Sequence, residues 1–107
     1  MEVQFATEAL KEVCLMRNPE AIALSTDALA ALRALYNALR AADHLEEMPL
    51  GHPGAEDLVD GLEWTVELAD GYQAVLRVNH NRPPQQGDKV DMARVHRVQV
   101  MAVEAPK

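Results

Sequence analysis

Residues 63–78, EWTVELADGYQAVLRV, switch the chain from the spacing of helices to that of strands. Trp64, Val66 and Leu68 alternate with Glu63, Thr65 and Glu67, and after Ala69, Asp70 and Gly71 an apolar stretch resumes with Ala74, Val75, Leu76 and Val78. Side chains at period two line opposite faces of a strand. The stretch therefore predicts an antiparallel hairpin whose turn uses Asp70 and Gly71, residues that accept positive φ. On this alternation Arg77 points away from Ala74 and Leu76, toward the face it shares with Gln73 and Val75.

Working outward toward the C-terminus, residues 79–88 are rich in Pro, Gln and Asn and read as a loop. A last strand follows near residues 94–104, carried by Val95, Val98, Val100 and Val103. The change of parity between Val95 and Val98 requires either a bulge or a strand that begins after Val95.

Toward the N-terminus, periodicity disappears over residues 46–60, where Pro49, Gly51, Pro53 and Gly54 mark an irregular loop. Before it, Ser25, Thr26 and Asp27 supply a helix start, and Leu29, Leu32, Leu35, Tyr36 and Leu39 recur at helical spacing, with Arg33 and Arg40 turned to solvent. At the beginning, a strand at Val3, Gln4 and Phe5 leads into Thr7 as an N-cap and a helix of about three turns bearing Leu10, Val13 and Cys14. Asn18 and Pro19 halt that helix, and Asn18 can cap a brief turn through Ile22. The order strand, helices, strands predicts one α+β domain over residues 1–107, an N-terminal helical hairpin packed on one face of a small, mainly antiparallel sheet.

Hydrophobic residues are 49% of the chain but aromatics only 4%, so the core must be aliphatic. The net charge of -7 argues against indiscriminate binding to nucleic acid or anionic lipid. All of that excess sits in residues 1–60, and residues 61–107 balance, so any phosphate-facing surface belongs to the second half. No apolar run approaches the roughly 20 residues of a bilayer span, and a cytoplasmic location is expected. The single Cys14 falls among Leu10, Val13 and Leu15 and reads as a buried structural thiol. His44, His80 and His96 lack ligand spacing and Cys14 is remote from them in sequence, so no metal is expected, and no motif calls for a cofactor.

Several phrases, in this order, resemble the HigB-like branch of the RelE/ParE toxin superfamily of bacterial type II toxin–antitoxin systems. They are residues 5–10 at the first strand-to-helix junction, residues 32–45 over the second helix and following turn, Trp64 to Leu68 with Asp70 and Gly71 in the hairpin, and residues 89–104 at the end. The resemblance spans nearly the whole chain. It implies a RelE-like fold, a cognate antitoxin as partner, and metal-independent endoribonuclease chemistry on ribosome-bound mRNA. In that chemistry basic groups polarise phosphate while another residue handles the proton of the ribose 2′-hydroxyl. Carried onto this chain, Arg77, His52 and His80 are the catalytic candidates, and Arg82, Lys89 and Arg97 the RNA-binding ones.

Three departures from the family pattern frame an alternative, one being that Ala105, Pro106 and Lys107 stand where Asp-Tyr-His often follows the family's last strand. Residues 53–61 carry Glu56, Asp57 and Asp60 where the family loop supplies cations, and Ala74 stands where its hairpin presents arginine. The alternative is a catalytically degenerate RelE-fold protein acting through protein–protein binding, to an antitoxin, a gyrase-type target or a second copy of itself. The plainer expectation for Arg77 and Arg97 is cross-strand pairing with Glu63 or Glu67.

Overall fold

The computed structural model describes residues 1–47, 63–80, 85–86 and 89–106. Strand β1, Glu2–Phe5, alternates exposed and half-buried residues, so Val3 and Phe5 pack on the core while Glu2 and Gln4 face outward. Thr7 then caps helix α1, Glu8–Cys14, its hydroxyl accepting from the Leu10 amide at 3.2 Å. This helix is two turns rather than the three expected. The chain leaves it at Met16, whose φ of 62° is left-handed, and the amides of Arg17 and Asn18 fold back onto the Glu12 carbonyl. Asn18 does cap a short turn, accepting from the Glu20 amide at 3.2 Å.

Helix α2, Thr26–Ala41, begins where expected: Ser25 Oγ accepts from the Ala28 amide at 3.1 Å, and Asp27 lies in the first turn. Its buried stripe is Ala28, Leu32, Leu35, Tyr36 and Leu39. Arg40 is exposed, with its guanidinium 5.5 Å from the Tyr36 ring centre. Arg33 departs from expectation: it is half-buried, its Nε donating toward the Val13 carbonyl at 3.5 Å, so it bridges α2 to α1 instead of standing in solvent. At the far end the Met1 amino group donates to the carbonyls of Leu39, Arg40 and Ala42, an interaction of cation and helix C-terminus that anchors the start of β1. A single 3₁₀ turn, Leu45–Glu47, follows.

Strands β2, Glu63–Glu67, and β3, Gln73–Val78, form the predicted antiparallel hairpin, with Glu63 opposite Arg77 and Trp64 opposite Leu76. Asp70 and Gly71 have φ of 55° and 82°, as a primed hairpin turn requires. Within the segment expected to be loop, β4, Gln85–Gln86, pairs with β5, Lys89–Val90, as a separate two-stranded unit.

The last strand, β6, is Arg97–Glu104, so the later start is the correct alternative for the parity change. Residues Met92–Arg94 form a 3₁₀ turn, and Val95 reaches the core before the strand begins, its carbonyl accepting from the Leu45 amide at 2.9 Å. A register shift occurs as well, further along: Val75 faces Ala102 while Leu76 faces Val100, leaving Met101 as the extra residue of a bulge.

The four main strands run in the order β1, β6, β3, β2, with β1 parallel to β6 and the other pairings antiparallel. The fold is therefore α+β with a mixed sheet. One core cluster unites Leu10, Val13, Leu32 and Leu39 of the helices with Trp64, Leu76, Val98 and Val100 of the sheet. Cys14 lies inside it, and burial pushes its thiol up to about 11, as befits a structural thiol. Among the described residues no helix is long and apolar enough to cross a membrane.

Candidate functional site

Pairing and burial assign the polar side chains of the sheet to one face. With Trp64, Leu76, Val98, Val100, Val3 and Phe5 turned to the core, the register puts Glu2, Gln4, Glu63, Glu67, Gln73, Arg77, Arg97, Gln99 and Glu104 on the other side. Arg77 is exposed there, as its alternation predicted, between Glu63 on β2 and Gln99 on β6. Arg97 lies diagonally across from it on β6.

Three of the six predicted site residues, Arg77, His80 and Arg97, thus come together at one end of the sheet. Of the other three, His52 and Arg82 lie outside the described residues. Lys89 is placed only as a position in β5.

A polar chain crosses this end of the sheet. Asn79 donates through Nδ2 to Gln4 Oε1 at 3.0 Å, Gln4 donates to Glu2 Oε1 at 3.4 Å, and Glu2 Oε2 receives Arg97 Nε at 3.1 Å. Glu2 is a partner that alternation within the second half could not reveal. It arrives through the parallel pairing of β1 with β6, so the expected cross-strand pairing of Arg97 occurs with Glu2 instead of Glu63 or Glu67. For Arg77 the register partner is Glu63, as anticipated, although no ion pair joins them.

His80 is the second feature of the corner. Its Nε2 accepts the His96 amide at 3.2 Å, and the two imidazole rings meet edge to face with centres 4.5 Å apart. Desolvation, then His96 and Arg97, hold its pKa below the ordinary histidine value. At neutral pH the ring is therefore uncharged and has one nitrogen committed. That leaves Nδ1 as its only free edge and makes it a weak base. His96, which sequence reading passed over because it lacked ligand spacing, has its Nδ1 3.2 Å from the Arg94 carbonyl. Among the described residues no cluster of three metal-ligating side chains exists.

The electrostatics of this face decide what it can hold. Among the described residues of the sheet face, the end near His80 carries Arg77 and Arg97 against Glu2 and Glu63, a local balance of zero. Glu67 and Glu104 lie about 13 Å further along at roughly 3.3 Å per residue. That exceeds the screening length of about 8 Å at physiological salt, so they add little to the near end but make the far end acidic. The ion pair of Arg97 with Glu2 is itself half exposed and worth at most about 1 kcal/mol. A phosphate could displace it. What weakens anion binding is the matched number of carboxylates, not the strength of one bridge.

A cleft of about 540 Å³ runs along β1 and α1, lined by Val3, Phe5, Leu15, Tyr36 and Lys11 among others, and of the described site residues Arg77, His80 and Arg97 none borders it. No family model matches this chain, and no curated protein or solved structure matches it.

Proposed function

We propose that this chain is a RelE/HigB-like protein of a toxin–antitoxin type that works by binding a protein partner and has lost the means to cut RNA. In this reading the helical hairpin covers one face of the mixed sheet, and the polar face described above is presented to the partner. The order of strand, two helices and strands supports the RelE-like arrangement. The observation that carries the functional half is the charge balance among the described residues of this face: two guanidiniums share the end near His80 with two carboxylates, and two further carboxylates stand at the far end. Such a surface suits a basic polypeptide segment better than a polyanion. An antitoxin, a gyrase-type target or a second copy are the partners that the resemblance implies.

The test is a translation assay with ribosome-bound mRNA, run beside growth measurements on expressing cells and native mass measurement of the purified protein with a lysine- and arginine-rich peptide. No cleavage together with peptide binding that weakens when Glu67 and Glu104 become Gln is the expected result. Cleavage that disappears in Arg77→Ala would overturn it and establish the alternative reading, a metal-independent endoribonuclease. One observation favours that alternative: Arg77, Arg97 and His80 do share a single end of the sheet.

A further inference from the structure

The ladder between β3 and β6 ends in a rung made by a side chain. Asn79 closes the last backbone rung, its amide donating to the Arg97 carbonyl at 2.9 Å. One residue beyond, His80 Nε2 takes the place of a backbone carbonyl and accepts the His96 amide at 3.2 Å. These two bonds join the residues just after β3 to those at the start of β6.

The bond to His96 has a chemical condition. A ring nitrogen accepts a hydrogen bond only while it keeps its lone pair, so the His80 proton must sit on Nδ1. A second proton would place an N–H on Nε2 facing the backbone N–H of His96, donor against donor. The surroundings offer that charge no relief among the described residues. Just before β6, His96 packs edge to face on the ring, and Arg97 at the start of that strand stands beside it as a full cation. From β1 the nearest carboxylate, Glu2, is already engaged by Arg97.

We propose that His80 is an acid-sensitive latch: its neutral imidazole ties the chain after β3 to the chain before β6 by accepting the His96 amide, and protonation of the ring opens that tie. The lowered pKa of His80 fits this and fixes the sign. A histidine whose folded value is depressed contributes stability that is present above its ordinary value of about 6.5 and is lost as pH falls through the lower folded value. The latch is therefore closed at neutral pH and opens in acid, whatever the protein binds.

Two readings by nuclear magnetic resonance test it between about pH 8 and about pH 5: the titration of the His80 ring, and hydrogen exchange of the His96 amide corrected for its intrinsic pH dependence. The expected result is a His80 midpoint below that of a free histidine, with the His96 amide losing protection over the same interval while amides inside the β3 and β6 ladder keep theirs. In His80→Gln, whose carbonyl oxygen accepts at any pH, the protection of His96 should no longer change with pH. A His80 midpoint at or above the ordinary value overturns the proposal. So does wild-type protection that does not change with pH, or a His80→Gln variant that loses protection in acid as wild type does.

Discussion

Ser25 performs two tasks with one hydroxyl, and removing it separates them. Its Oγ accepts from the Ala28 amide at 3.1 Å to cap α2, and it donates to Asp70 Oδ2 at 2.6 Å, tying the start of that helix to the turn between β2 and β3. Loss of a serine cap to alanine costs about 1 kcal/mol, whereas loss to glycine costs only a few tenths. The bond to Asp70 is charge-assisted, and such bonds contribute about 1.5 kcal/mol at the lower end of their range, the end appropriate to an exposed pair. Ser25→Ala should therefore destabilise by about 2.5 kcal/mol and Ser25→Gly by slightly less than 2 kcal/mol. Urea denaturation followed by circular dichroism resolves this difference, and the corresponding fall in Tm is about 10 °C for Ser25→Ala at about 4 °C per kcal/mol. A double-mutant cycle with Asp70→Gly isolates the tie, since glycine keeps the left-handed backbone that Asp70 adopts at φ 55° and carries no acceptor. Equal and small effects of Ser25→Ala and Ser25→Gly, below about 0.5 kcal/mol, would refute both roles. A coupling energy of zero with Asp70 would refute the tie alone.

Gly71→Ala places a Cβ at φ 82° and 2.8 Å from the Pro106 Cβ; left-handed backbone alone should cost about 1–2 kcal/mol by urea denaturation, and Pro106→Gly in the same chain should recover only the part due to contact. Leu39→Ala removes a fully buried side chain from the core cluster and should cost about 2–5 kcal/mol, read from the same transition. Cys14, its thiol pushed up to about 11 by burial, should react with an aromatic disulfide at pH 8 only at the rate of unfolding, and addition of urea should release it. Glu2→Gln frees Arg97, and Glu63→Gln removes the carboxylate opposite Arg77. The double variant should bind single-stranded RNA more tightly than wild type at low salt, with a gain that vanishes as salt rises, measured by fluorescence anisotropy.

The elements that local sequence dictates were legible and those that depend on a distant partner were not. Ser25 at the head of α2, the Leu32, Tyr36 and Leu39 stripe, and the Asp70 and Gly71 turn each follow from residues within one helical turn or one hairpin. The length of α1 did not, because the left-handed Met16 that ends it is neither glycine nor asparagine and carries no local signal. The half-buried Arg33 was missed since only the approach of α1 supplies the Val13 carbonyl it meets. Of the site, the outward direction of Arg77 was legible from period two, while the roles of Glu2 and His96 emerge only after β1, β3 and β6 are brought side by side.

The core dictates which residues β1 brings beside β6. The β1 register sets Val3 opposite Val98 and Phe5 opposite Val100, apolar against apolar, and so it must set Glu2 opposite Arg97 and Gln4 opposite Gln99. A slip of one residue would turn Val3 and Phe5 to water and bury Glu2 and Gln4, a change the core excludes. A slip of two would keep the faces but take Phe5 out of line with Val100, although its ring centre lies 5.5 Å from that of Tyr36. The amino group of Met1, held by the carbonyls at the end of α2, opposes it further. The carboxylate that neutralises Arg97 is thus delivered by the same apolar contacts that seat the strand. Restoring a free guanidinium there requires a change of side chain at Glu2 itself, because no permitted shift of β1 moves Glu2 away.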